Sequence, residues 1–248
     1  MAGRKADEEA FLAAYDVTKF DRPSLTVDVV LLAARRDGGL STLLVKREDH
    51  PFKGRWALPG GFVRMTESLD AAAARVLETK GGLASVFLEQ LYTFGDPRRD
   101  PRTRVVTVAY YALVDPKRFD TAHGKEPTSV ARVVVPWEGE KGGAVELVGK
   151  GDTPLTLAFD HAEIVGMAVK RLRGKIAYTA VGFQLLPREF TLFDLQRVHE
   201  SVLGRALNKD SFRRKVLASG DVEPTGKSQK DVDHRPAELY RFARRSAV

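Results

Sequence analysis

Apolar residues first gather at 25–34, "LTVDVVLLAA", and again at 41–47, "STLLVKR". Both runs are rich in β-branched residues, and Asp37, Gly38 and Gly39 supply a turn between them, so the pattern predicts paired strands. Residues 66–80 follow a helical pattern with an alanine-rich body and Thr66 as its expected cap. Further strands are predicted over 104–114, "RVVTVAYYALV", and over 131–137, "ARVVVPW". Two strands, a helix and more strands imply a mixed α/β domain. Residues 138–151 contain five glycines and read as a surface connection.

A second helical pattern begins at Asp160, which has capping-box spacing with Glu163. Val165, Val169, Leu172 and Ile176 form its apolar stripe, with Lys170, Arg171, Arg173 and Lys175 largely off it. A domain boundary is therefore expected near residue 158, giving units 1–158 and 159–248. Two more helices are predicted within 190–220. The first has Thr191 and Asp194 as a capping box, Leu192, Leu195, Val198 and Val202 as its buried face, and Gly204 as its end. The second is capped by Asn208, stapled by Leu207 and Phe212, faces inward through Phe212 and Val216, and closes at Gly220. The stretch "VEPTGKSQKDVDHRPAELYRF" then alternates as a hairpin with a polar tip. Helix, turn, helix and hairpin make a winged helix-turn-helix.

Charge sharpens that division. The chain has 248 residues and a formal net charge of +7, with 40 Lys and Arg against 33 Asp and Glu. Up to residue 160 it carries 23 of each sign, so the whole excess lies in the tail. A neutral α/β unit followed by a basic one suits a module that meets a polyanion. The second tail helix would enter a major groove, offering Asn208, Lys209, Ser211, Arg213, Arg214 and Lys215. Lys227, Lys230, His234 and Arg235 lie at the wing tip for phosphate or minor-groove contact. The competing reading of this tail is a small helical dimerisation domain.

The chain has no cysteine, which excludes disulfides, thiolate metal sites and cysteine nucleophiles. No apolar run approaches the roughly 20 residues that span a bilayer, and the first residues lack a signal-peptide core. A cytoplasmic protein is expected, with no membrane partner.

The most specific pattern runs through 61–83. Gly61, Glu67, Arg75, Leu77, Gly82 and Leu83 have the spacing of the Nudix box, and "RWALPGG" precedes them. The stretch from about 25 to 137 resembles a Nudix domain. That resemblance implies hydrolysis of a nucleoside diphosphate linked to another group, in which Mg²⁺ held by carboxylates neutralises the diphosphate. This chain departs from the box where those carboxylates belong: Val76, Thr79 and Lys80 occupy the positions. Glu67 and Arg75, a structural pair in the family, remain. A scaffold kept for binding rather than turnover is expected, with no catalytic residue, metal or cofactor. Residual hydrolysis through Glu67 and Glu78 is the rival.

Ligand-binding candidates follow from the same logic. "YTFGDPRRDPRTR" places Arg98, Arg99, Arg102 and Arg104 close together, and arginine forks match phosphate oxygens. Phe94 is a candidate for stacking on a base. Arg47, Arg55, Trp56, Gly60 and Gly61 complete the set, the alternative being an exposed turn and core packing.

Taken with "LAFDHAEI", "FTLFDLQRVHESVLG", "FRRKVL" and "RPAELYRF", the chain resembles the Nudix-related transcriptional regulators of bacterial NAD metabolism. The resemblance implies a homodimer on a palindromic double-stranded operator, with ADP-ribose or a related NAD product as effector and repression as the most expected outcome. The alternatives are an active ADP-ribose pyrophosphatase with a basic C-terminal domain, a sugar-responsive regulator of the same build, and a non-specific nucleic-acid module.

Overall fold

The computed structural model describes residues 2–35, 37–122, 127–230 and 235–243. In chain order its elements begin with helix α1 (Ala2–Ala14), strands β1 (Ser24–Ala34), β2 (Leu40–Lys46), β3 (Trp56–Ala57) and β4 (Gly60–Phe62), and helix α2 (Leu69–Gly81). There follow β5 (Phe87–Phe94), β6 (Val105–Leu113), α3 (Pro116–Phe119), β7 (Thr128–Val134) and β8 (Glu146–Val148). The chain finishes with α4 (His161–Ile176), α5 (Leu192–Leu203), α6 (Lys209–Ser219), β9 (Val222–Ser228) and β10 (Glu238–Phe242).

The main sheet runs β5-β6-β1-β2-β7-β8, with β3 against β2 and β4 against β1. β1 and β6 are parallel, and β1 and β2 form the expected antiparallel pair. β1 is buried on both faces from Val27 onward, and its side chains alternate between two cores. Val27, Val29 and Leu31 meet Ala72, Ala73, Val76 and Leu77 of α2. Val30 and Leu32 meet Ile164, Val165, Ala168, Val169 and Leu172 of α4. The sheet therefore lies between α2 and α4, a mixed α/β layer arrangement. The second core continues into Val198 and Val202 of α5, so the basic tail is packed directly on the α/β unit.

Several local expectations meet a different solution. The cap of α2 is Ser68, whose Oγ accepts from Ala71 N–H at 3.2 Å, and not Thr66. Between them Glu67 turns away to accept from Arg64 N–H and Arg75. Asp160 precedes α4 but makes no side-chain cap, because its carboxylate is taken by Arg99. The last strand of the expected set spans Thr128–Val134 rather than 131–137; Pro136 has no N–H to continue the ladder. The glycine-rich connection contains β8, paired with β7, and its Gly143 backs onto α4. A Cβ on Gly166 would stand 1.8 Å from the Gly143 carbonyl oxygen, so only glycine permits that approach. Arg173, placed largely off the stripe of α4, is buried and donates to the backbone carbonyls of Val202, Trp137 and Gly139 at 2.9, 3.3 and 3.0 Å.

The tail forms as its pattern predicts. Thr191 and Asp194 make a reciprocal capping box, Gly204 ends α5 in the left-handed region, and Asn208 caps α6 by accepting from Ser211 N–H. Gly220 closes α6 with a positive φ. Phe190, Leu192, Leu195, Val222 and Tyr240 form a small core, onto which Phe212 and Val216 fold. β9 and β10 make the antiparallel hairpin. Among the described residues no helix is long and apolar enough to cross a membrane.

Candidate ligand cavity and nucleic-acid interface

A cavity of about 300 Å³ opens where β1, β2, β4, the end of α2, the 95–104 loop and the start of α4 converge. Its floor is a buried charge cluster. Asp28, on β1, accepts from the Thr107 hydroxyl at 2.8 Å and lies 3.5 Å from Arg99. Arg99 forks onto Asp160 with bonds of 2.9 and 2.8 Å, and its side chain is only 4% exposed. His161 accepts from Leu58 N–H through Nδ1 at 2.9 Å, which leaves its proton on Nε2, 3.8 Å from Asp28. Burial holds the His161 pKa below its ordinary value, so the ring is neutral here. The cluster explains Gly60: a Cβ there would stand 2.0 Å from Asp28 Oδ1.

Five of the ten predicted ligand residues line this cavity: Arg47, Gly60, Gly61, Arg99 and Arg102. Arg47 stacks over Phe159 with its guanidinium 4.9 Å from the ring and donates to the Pro51 carbonyl at 2.8 Å. Arg102 forks onto Asp100 at 3.0 and 2.7 Å, and that pairing holds the Asp100 carboxyl below the usual carboxylate range. Arg99 is not the exposed fork that its sequence neighbourhood suggests, since it serves Asp160 and Asp28. Arg55, Trp56, Phe94, Arg98 and Arg104 lie outside the cavity lining. Arg55 stacks over Phe52, and Trp56 and Phe94 pack against the sheet–α4 core. Arg98 is 92% exposed beside Asp96. The Arg104 carbonyl accepts from Ser24 N–H, joining its loop to β1.

Sequence reasoning missed Asp28, Lys46, Phe159 and His161 as lining residues. Asp28 had a signal, a lone acid in the apolar run "TVDVV". The Nudix-box positions are also accounted for. Val76 is buried under the sheet, Thr79 Oγ1 donates to the Arg75 carbonyl at 2.8 Å, and Lys80 lines the cavity. Glu67 pairs with Arg75, whose fork pushes that carboxyl down to about 2. Glu78 is exposed on another face.

In the tail, Lys209, Arg213, Arg214 and Lys215 are exposed on α6, and Lys227, Lys230 and Arg235 on the hairpin. Lys209, Arg213 and Arg235 line one groove between α6 and the wing. Lys227 Nζ is 2.7 Å from Glu189. Asn208 and Ser211 are tied to each other by the cap. His234 lies outside the described residues. Behind α6, His199 stacks edge-on to Phe212 at 5.0 Å. Burial, with Lys215 nearby, lowers its pKa to about 4.

Residues 22–141 match the Nudix domain family, and residues 182–242 match the NrtR DNA-binding winged helix domain. The ADPR responsive transcriptional repressor NtrR of Acinetobacter baylyi is 39% identical over 242 residues, covering 96% of this chain and 89% of that one. The chain belongs to the NrtR family. Its fold also matches Shewanella oneidensis NrtR in complex with a 27mer DNA, with a TM-score of 0.70 and 33% identity over 88% of this chain and 93% of that one. The Nudix part alone is 35% identical to the ADP-ribose pyrophosphatase of Methanocaldococcus jannaschii, over 58% of this chain and 71% of that one. NrtR membership thus unites the cavity and the winged helix in one known type of molecule, a transcriptional regulator.

Proposed function

We propose that this protein is an ADP-ribose-responsive transcriptional repressor of bacterial NAD biosynthesis or salvage genes. The observation that carries the reading is the joining of two sites by one helix. α4 starts at the cavity floor, where Asp160 holds Arg99, and ends where Arg173 holds the last turn of α5. At 1.5 Å per residue its 16 residues make a rod of roughly 24 Å. Residues 1–158 serve as the sensing unit, its cavity closed by Phe159 and His161, and 159–248 supply the rod and the DNA reader. Arg47 and Arg102 meet the diphosphate, and Gly60 and Gly61 allow close approach of the ligand to backbone. Lys209, Arg213 and Arg214 read the major groove, while Lys215, Lys227, Lys230, His234 and Arg235 engage backbone phosphates. Two copies on a palindromic operator place their recognition helices about one DNA turn apart. Repression then takes place at the chromosome, in the cytoplasm. The box positions Val76, Thr79 and Lys80 favour a ligand that is bound and not consumed.

Effector and operator are linked reciprocally: if ADP-ribose weakens DNA binding, operator must weaken ADP-ribose binding by the same factor, typically about 5- to 150-fold. The test selects an operator from a random-sequence pool, then measures ADP-ribose affinity by calorimetry with and without saturating operator. Equal affinities would remove ADP-ribose as the controlling effector and make a sugar metabolite the next candidate. Release of AMP at roughly 1 per second or faster in Mg²⁺ would favour the pyrophosphatase instead.

A further inference from the structure

A Nudix fold implies a divalent metal beside the last turns of α2, and the residues there do not fit one. Magnesium requires near-octahedral oxygen ligands, usually including carboxylates. Val76 offers two methyl groups and is buried; a Cβ on Gly61 would stand 3.3 Å from one of them. Thr79 spends its hydroxyl proton on the Arg75 carbonyl. Of the acids around this turn, Glu67 pairs with Arg75, Asp100 with Arg102, and Asp28 with Thr107 and Arg99, while Glu48 and Asp49 line the cavity from the loop after β2. Among the described residues no cluster of three His, Cys, Asp or Glu side chains is arranged to hold a metal ion.

The same turn brings a cation of its own. Lys80, the second of the two residues standing in place of paired glutamates, lines the cavity together with Gly60, Gly61, Arg47 and Arg102. We propose that Lys80 takes the electrostatic place of the metal, so that the cavity binds a nucleoside diphosphate in its metal-free form.

The chemistry supports this choice of ligand form. A diphosphate diester carries two negative charges and presents several unshared acceptor oxygens. An ammonium group is a compact, strongly hydrated cation with three rotatable donors, so it meets such oxygens without a fixed coordination geometry. A ligand arriving with Mg²⁺ already on its oxygens would bring two further positive charges toward Lys80, Arg47 and Arg102. Among the described residues, α2 contributes no carboxylate to the cavity lining to receive the metal. A cation fixed covalently also leaves nothing to activate water, as a bound metal does. Binding without turnover is what a signal requires. The inference rests on the cavity being the nucleoside diphosphate site.

The test is ADP-ribose binding by calorimetry to the full-length protein, once in EDTA and once in excess Mg²⁺. Wild type is expected to bind in EDTA, with affinity unchanged or weakened by Mg²⁺. Lys80→Ala should weaken binding in EDTA by about 10- to 100-fold, the range of one lost charge-assisted hydrogen bond. Lys80→Arg should keep most of the affinity. Lys80→Glu should bind poorly in EDTA and recover on adding Mg²⁺ or Mn²⁺, a readout that a purely structural lysine would not give. Wild-type binding that requires Mg²⁺ would overturn the inference and leave the effector reading intact. Equal affinity of wild type and Lys80→Ala in EDTA would do the same. No ADP-ribose binding under either condition would overturn the effector reading itself, and this inference with it. The wild-type comparison needs no variant, so poor folding of a mutant leaves the proposal open to refutation.

Discussion

Replacing Asp160 by alanine tests the floor of the cavity directly. The carboxylate receives two bonds from Arg99, at 2.9 and 2.8 Å, and the arginine side chain is only 4% exposed. Removing one partner of a buried pair leaves a charge in low dielectric and costs roughly 3–5 kcal/mol. Asp28 remains 3.5 Å from the same guanidinium and absorbs part of that cost, which places the expectation at the lower end, about 3 kcal/mol. Loss of an anion at the start of α4 acts in the same direction, at a few tenths of a kcal/mol. For a chain of this size each kcal/mol shifts the melting temperature by about 2–4 °C, so the variant should melt about 6–12 °C lower. Asp160→Asn keeps the volume and one acceptor and should fall between. Asp96→Ala is the matched control: its ion-pair partner Arg98 is 92% exposed at 3.7 Å, and with the bond from the Arg98 N–H also lost a change of at most about 1 kcal/mol is expected. Urea denaturation and differential scanning calorimetry at pH 7 supply the numbers. An Asp160→Ala protein melting within about 2 °C of wild type would refute the claim that this pair holds the start of α4.

On the DNA side, Arg213→Ala or Arg214→Ala should weaken operator binding by about 1–3 kcal/mol where the lost arginine contacts guanine, while Lys227→Ala should flatten the salt dependence across all sequences; fluorescence anisotropy titrations read both. If both arginine variants bind like wild type, α6 is not the reading helix. Acid should loosen the winged helix through His199, whose pKa is pushed by burial from the ordinary 6.5 to about 4. Between those values the unfolded chain takes up a proton that the folded one refuses, so stability falls as pH drops from about 6.5 toward 4. The melting temperature of wild type should therefore fall over that window relative to His199→Leu, and parallel pH profiles would count against the buried neutral ring.

The tail was legible in the sequence because its signals are local. Thr191 and Asp194, Gly204, Asn208 and Gly220 each act within one helical turn, and the apolar stripe of α5 repeats at helical spacing. The box from Gly61 to Leu83 was legible for the same reason. The cavity floor was not, because it is assembled across the chain: Leu58 N–H meets His161, 103 residues later. Arginine-rich spacing in the 95–104 loop showed where cations are dense but not which are spent internally. Arg99 proved to be a buried tie and Arg98 a solvated one, a difference set by the start of α4. Arg173 likewise reads as a surface charge until the carbonyls of Val202, Trp137 and Gly139 are placed around it.

The packing of α4 bears on how sensors of this type can be recombined. Its apolar face closes the sheet through Ile164, Val165 and Leu172, and the same core takes in Val198 and Val202 of α5. A chimaera cut just before His161 would strip the sheet of its cover and hand the recipient a helix shaped for another surface. A foreign helix with any larger residue in the place of Gly166 would clash with the Gly143 carbonyl, which only the missing Cβ lets in. A transplantable sensing cassette must therefore carry α4 with it. Its junction belongs after Ile176, and the recipient winged helix must present the α5 face that Val198, Val202 and the carbonyl for Arg173 define.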